Sequence, residues 1–144
     1  MSTPPPTSSN KILVVDDDPV VVKALTMKLQ SKGYATCSAS DGAEAVKAVR
    51  EQKPAIVLLD ITFPPDVVSW DGFRVMEWLR RLDEAKNIPI IVISGGEPEK
   101  YKDRAAQAGA VAYFRKPVDT EELVNTIRRI LGKPPLPPEI KSLR

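Results

Sequence analysis

The sequence predicts an α/β fold, a parallel sheet with helices on both sides. Three observations predict it. The runs Ile12-Leu13-Val14-Val15, Ile56-Val57-Leu58-Leu59 and Ile90-Ile91-Val92-Ile93 are rich in β-branched residues and do not alternate with polar ones. Strands buried on both faces read this way. Helix-period stripes fill the stretches between them. Capping residues open those stretches, and glycines close several of them.

Each element follows in order. After the first run, Asp18 is a helix cap with Pro19 at the first helical position, and Val21, Leu25 and Leu29 share one face up to Gly33. Tyr34 to Ala39 reads as a second, weaker strand. Asp41 with Glu44 resembles a capping box and opens an Ala-rich helix to about Glu51. The second apolar run is strand three. The stripe of Val75, Leu79 and Leu82 marks the next helix, and the third run is strand four. A short helix over Pro98 to Ala108 stops at Gly109, and Val111 to Phe114 is strand five. Asp119 and Glu122 then open a helix carrying Leu123, Ile127, Ile130 and Leu131, which Gly132 ends. Five β-α units in strict alternation give a parallel sheet through right-handed crossovers.

The length of 144 residues suits one domain. Prolines cluster at 4–6 and 134–138. Residues 1–9 are therefore expected to be a disordered Pro/Ser-rich tail, 10–132 the folded body, and 133–144 a Pro-rich tail. No apolar run approaches the roughly 18 residues of a membrane span, and the N-terminus lacks the apolar stretch of a signal peptide. A cytoplasmic protein with no membrane partner is expected. A single cysteine, Cys37, excludes an internal disulfide, and its place on strand two reads as a small buried hydrophobe. The absence of histidine excludes a Ser-His-Asp triad and a His-ligated metal. With 21 basic against 19 acidic residues, the chain lacks the concentrated positive charge of a nucleic-acid binder.

Chemistry gathers where the strands end. Strand one runs into Asp16-Asp17-Asp18, strand three into Asp60, strand four into Ser94, and strand five is followed by Lys116-Pro117. In open α/β sheets these carboxyl ends form the ligand crevice. Asp16, Asp17 and Asp60 would repel one another there. A hard divalent cation such as Mg²⁺, together with Lys116, would relieve that repulsion. A site of metal, ammonium and hydroxyl suits a phosphoryl group, and a carboxylate beside it can act as nucleophile. Asp18 is read as a cap only.

The motifs KILVVDDDP, IVLLD, IVISG and YFRKP, in this order over about Lys11 to Gly132, resemble the receiver domain of two-component response regulators. The resemblance implies a flavodoxin-like (βα)5 sheet of order 2-1-3-4-5. It implies that Asp60 is the phosphoacceptor, that Asp17 and Asp60 bind Mg²⁺ directly, and that Asp16 binds it through water. It further implies that the backbone carbonyl of Thr62 is the third protein ligand. By the same resemblance Lys116 would pair with the phosphoryl group, Ser94 would be the switch hydroxyl and Tyr113 the aromatic switch residue. The implied partners are a histidine kinase or phosphotransfer protein and a downstream protein target, with a homodimer formed on phosphorylation as a further option. The only enzymatic acts implied are self-phosphorylation and self-dephosphorylation.

Two departures stand beside the resemblance. The stretch Phe63 to Asp71 is about four residues longer than the family's usual loop and borders the expected metal site; Trp70 or Asp66 folding over the phosphate and a loop bulging into solvent without effect are both open, the second preferred, and Gly96 leaves no side chain two residues past Ser94. Only KPPLPPEIKSLR follows Gly132, so the expected output is a protein contact by the receiver itself or onward phosphotransfer. The alternative reading is a receiver-fold scaffold that works without phosphorylation. A hydrolase of free phosphate esters is disfavoured, because Thr62 stands where a haloacid-dehalogenase-type enzyme has a second acid.

Overall fold

A computed structural model describes residues 11–61, 72–95 and 98–132 of the chain. The order is β1 (Ile12–Val15), α1 (Pro19–Ser31), β2 (Thr36–Ala39), α2 (Gly42–Gln52), β3 (Ile56–Asp60), α3 (Gly72–Arg81), β4 (Ile90–Ser94), α4 (Pro98–Gln107), β5 (Ala112–Arg115) and α5 (Thr120–Ile130). Every neighbouring pair of strands is parallel, and the sheet runs β2-β1-β3-β4-β5. This is the predicted flavodoxin-like order. Among the described residues, no helix is long and apolar enough to cross a membrane.

The two-residue period of the strands sorts the core into two layers. Leu13, Val15, Val57, Leu59, Ile90 and Val92 face one way, onto Ala45 and Val49 of α2, Phe73, Val75, Met76 and Leu79 of α3, and Ala105 of α4. Ile12, Val14, Ile56, Leu58, Ile91 and Ile93 face the other way, onto Leu25 and Leu29 of α1 and Leu123, Val124 and Ile127 of α5. Every residue of β1, β3 and β4 is buried. That is why these three runs are apolar without alternation.

The start signals act as expected. Asp18 accepts a hydrogen bond from the Val20 amide at 2.9 Å and opens α1 ahead of Pro19. Asp41 accepts from Glu44 N at 2.8 Å, and Glu44 accepts in return from Ser40 N and Oγ at 2.8 and 2.9 Å. Asp119 takes the Glu121 and Glu122 amides. Gly33 and Gly109 follow α1 and α4 with φ of +94° and +103°, a region where a Cβ is unfavourable.

Several expectations are corrected in detail. Strand two begins at Thr36, and Tyr34 instead packs into the α1/α5 layer at 5 % exposure. Leu82 lies beyond the end of α3 and is only half-buried, because the chain turns at Arg81. Cys37 is half-buried, not buried, since β2 is an edge strand; burial still pushes its thiol up, with Lys11 opposing weakly. The end of α2, for which the sequence offers no glycine, is made by Lys53 in the left-handed conformation at φ +49°. The two tails, 1–9 and 133–144, lie outside the described residues.

Candidate functional site

Strand parity decides which polar side chains can meet. Asp60 is the last residue of β3 and continues the Ile56–Leu58 side, facing the α1/α5 layer. Asp16 follows β1 and continues the Ile12–Val14 side. Val15 pairs with Leu59, so Asp16 stands beside Asp60 on the same side of adjacent strands. Lys116 follows β5 and continues the Ala112–Phe114 side. Three residues distant in sequence thus converge because each is counted in twos along a strand of the same sheet.

The convergence is tight. Lys116 Nζ lies 3.1 Å from Asp60 Oδ2 and 3.4 Å from Asp16 Oδ2. Both acids are 3 % exposed, whereas Asp17 is exposed. The other Asp16 oxygen, Oδ1, accepts the Asp18 amide at 2.9 Å, which fixes that carboxylate. Burial by itself would pull the Lys116 ammonium down, but the Asp60 and Asp16 carboxylates outweigh it and hold its pKa above the usual lysine value. The ammonium therefore keeps its charge throughout the physiological range.

Asp16, Asp17 and Asp60 each offer a carboxylate oxygen within 4.8 Å of the others. An octahedron with Mg–O bonds of about 2.1 Å sets neighbouring oxygens about 3 Å apart and opposite ones about 4.2 Å apart. Hard oxygen donors at this spacing fit one divalent ion after a small contraction. The expected third ligand, the carbonyl of Thr62, lies outside the described residues, as do the Phe63–Asp71 loop with Asp66 and Trp70, and Gly96.

Ser94 ends β4 fully buried, on the α2/α3/α4 side of the sheet. Its carbonyl accepts the Lys116 amide at 2.8 Å, so the backbone of β4 positions the lysine. Tyr113 lies on the same side as Ser94, because Val92 pairs with Tyr113 and Ser94 with Arg115. Its ring packs inward against the core, and its hydroxyl is buried with no hydrogen-bond partner among the described residues. Asp18 caps α1 and is not part of the acidic cluster.

One neighbour of the site went unread in the sequence. A cavity of about 530 Å³ runs from Asp16 and Asp17 between α1 and the β2–α2 turn, past Pro19, Lys23, Ser40 and Glu44. The crevice rule itself pointed here, since Ser40 and Glu44 follow the carboxyl end of strand two. Ser40 holds the Glu44 carboxyl below the usual carboxylate range, through its amide first and its hydroxyl second.

A buried carboxylate beside a fixed ammonium and a hard-cation donor set is suited to phosphoryl chemistry. The sequence pattern of the response regulator receiver domain family matches residues 12–128. The chain belongs to that family. The receiver is 33 % identical over 113 residues to the polar-differentiation response regulator DivK of Brucella anthropi, covering 75 % of this chain and 89 % of the relative. It is 35 % identical over 114 residues to the protein PilH of Pseudomonas aeruginosa, covering 79 % and 91 %. Among solved structures, the chemotaxis response regulator CheY4 of Vibrio cholerae superposes with a TM-score of 0.73 at 28 % identity, covering 85 % of this receiver and 98 % of that chain. The receiver domain of the sensor histidine kinase PA1611 from Pseudomonas aeruginosa superposes with a TM-score of 0.75 at 27 % identity, covering 87 % and 99 %. That structure holds a magnesium ion in its active-site cleft. Response regulator function is thus the function of this receiver, and phosphorylation on an aspartate is typical of its family.

Proposed function

We propose that Asp60 is the phosphoacceptor, that Asp16, Asp17 and Asp60 hold Mg²⁺ with the Thr62 carbonyl, and that Lys116 and Ser94 hold the phosphoryl oxygens. The observation that carries this reading is the Lys116 ammonium bridging two buried carboxylates, Asp60 at 3.1 Å and Asp16 at 3.4 Å. A bound Mg²⁺ supplies the positive charge that offsets the carboxylates and the incoming phosphoryl group. An Asp60 oxygen attacks the phosphorus of a phosphohistidine on a histidine kinase or phosphotransfer protein. The P–O bond forms as the P–N bond breaks, and the electron pair leaves with the imidazole nitrogen. Water later cleaves the acyl phosphate and restores the carboxylate, so both acts are performed by the receiver on itself.

The donor's approach is supported at α1. Val20 is 74 % exposed and Met27 59 % exposed on this helix, whose Pro19, Val22, Lys23 and Thr26 line the cavity that opens onto Asp17. Apolar side chains left in water on a helix that follows the charged site favour a protein donor over a small one. The switch follows from Ser94 and Tyr113. When the Ser94 hydroxyl turns toward a phosphoryl oxygen, the packing around Tyr113 changes, and the surface of α4 and β5 changes with it. The downstream target reads that surface.

The test is phosphorylation in vitro. Incubation with Mg²⁺ and acetyl phosphate is expected to add the mass of one phosphoryl group, lost on chelation and in Asp60→Asn. Uptake that survives Asp60→Asn would overturn the assignment. No uptake by the wild-type receiver, from acetyl phosphate or from a phosphorylated transfer protein, would favour the scaffold reading.

A further inference from the structure

Strand β2 ends the sheet on one side and is paired only with β1 among the described residues. The Ile12 amide donates to the Ala35 carbonyl at 2.8 Å, and the Asp16 amide to the Ala39 carbonyl at 3.1 Å. Backbone groups alternate in direction along a strand, so Ala35, Cys37 and Ala39 turn theirs toward β1. Thr36 and Ser38 turn theirs the other way, and no strand among the described residues takes them. Their N–H donors and carbonyls therefore point outward from this edge. The run Thr36-Cys37-Ser38-Ala39 carries no charge and no proline, the residues that commonly blunt an edge. The opposite edge, β5, has Arg115 and runs into Lys116-Pro117.

A groove lies on each side of that edge. The cavity of about 530 Å³ beside Asp17 separates β2 from α1, with Lys23, Ser38, Ser40 and Glu44 in its wall. A second, of about 270 Å³, lies between β2 and α2, walled by Cys37, Ser38, Glu44, Ala48 and Glu51. Ser38 and Glu44 border both, so the two grooves flank the free edge. Side chains of an extended chain alternate between two faces. A strand laid along β2 would send one row into each groove. A second copy of the receiver does not fit there. It would offer β2 or β5, and each carries its own helices, α1 and α2 on β2 and α4 on β5. Strands sit about 4.8 Å apart but packed helices about 8–10 Å apart, so the helices would collide before the strands met. A lone extended segment has no such escort. The grooves set Asp17, Glu44 and Glu51 against Lys23 and Lys47, Asp16 being already paired with Lys116, so the excess charge is negative.

We propose that β2 is a docking edge for a single extended, basic segment of a partner protein. The segment adds a strand to the five-stranded sheet through the outward backbone groups of Thr36 and Ser38. Its alternate side chains enter the two grooves, with lysines or arginines facing Asp17 and Glu44.

An NMR titration of the full chain without Mg²⁺ tests it, and its outcome does not depend on the phosphoryl reading. The probe is the peptide acetyl-TVKVKVT-amide. Binding is expected to saturate below about 1 mM. It is expected to shift the Thr36 and Ser38 amides and to slow their hydrogen exchange about tenfold, while Cys37, turned to β1, keeps its rate. Two further peptides carry N-methyl groups on alternate residues, one on the valines and one on the others. Only one of these sets of amides can face β2, so one methylated peptide is expected to lose binding and the other to keep it. The glutamate version, acetyl-TVEVEVT-amide, is expected to bind about threefold more weakly. Glu44→Gln, which keeps an acceptor for Ser40, is expected to weaken the lysine peptide by a similar factor. Ser38→Pro removes one outward donor, is tolerated on an edge strand, and is expected to abolish binding. If that variant unfolds, seen as lost protection at Leu13 and Ile91, the methylated pair on the wild type decides. No saturation by the lysine peptide, equal behaviour of the two methylated peptides, or shifts centred on β5 would overturn the docking edge. Equal binding of the lysine and glutamate peptides would overturn the basic partner.

Discussion

Two helices of similar length, α4 and α5, are attached to the same sheet in different ways. Helix α5 buries Leu123, Val124, Thr126 and Ile127. Helix α4 buries only Ala105 among its described side chains, and its described part meets α3 through Arg104 over the Phe73 ring. Apolar area holds the first; the described part of the second leans on directional contacts, which break one at a time.

The largest test of this contrast is truncation in each helix. Ile127→Ala is expected to destabilise the fold by about 3 kcal/mol in a denaturant titration, and Ala105→Gly by only about 1 kcal/mol. Equal losses would erase the distinction. Next is the charged site at the carboxyl edge of the sheet, on the α1/α5 side. Lys116→Met leaves Asp16 and Asp60 buried without their cation and is expected to cost about 2 kcal/mol, less than a fully buried pair because the lysine is partly exposed. Saturating Mg²⁺ is expected to return much of that loss in the thermal midpoint.

The pH dependence of the same variant has a definite sign. The Lys116 pKa is raised in the folded state, so its contribution is complete below the ordinary value of 10.5 and fades as pH climbs through the higher folded value. The Lys116→Met penalty should therefore be flat from neutral pH to about 10.5 and shrink above it. A penalty that already shrinks between pH 8 and 10 would contradict the carboxylate pairing.

The smallest expected effects come from two tyrosines, one in each layer. The hydroxyls of Tyr34 and Tyr113 are both buried without a partner among the described residues. Tyr34→Phe is expected to stabilise the fold by about 1 kcal/mol. Tyr113→Phe should gain less, because Tyr113 is only half-buried and its ring can turn the hydroxyl to water. Equal gains would mean that the α4 side is as closed as the α1/α5 side.

Most of the fold was legible because strands buried on both faces cannot carry polar residues, and caps such as Asp18 and Asp41 announce themselves locally. The meeting of Asp16, Asp60 and Lys116 was legible for a related reason: Asp16 and Asp60 break apolar runs and Lys116 follows strand five, all at the carboxyl ends where an open α/β sheet forms its crevice. What stayed hidden depends on approach in space. Arg80 reads as one more charge on a helix surface, yet it reaches four carbonyls on two turns. Gly42 reads as a poor helix residue; in the fold a Cβ there would stand 2.5 Å from the Trp78 ring, so the indole requires its absence. The left-handed Lys53 gave no residue-type signal at all.

The in-step pairing of Val15 with Leu59 has an evolutionary corollary. Adding or deleting one residue inside β3 would rotate the Asp60 carboxylate to the opposite layer, away from Asp16 and Lys116. Loops can lengthen by any integer, but the strands behave as rulers graduated in even steps. A change in length that keeps Asp60 beside Asp16 therefore has to fall in the connections.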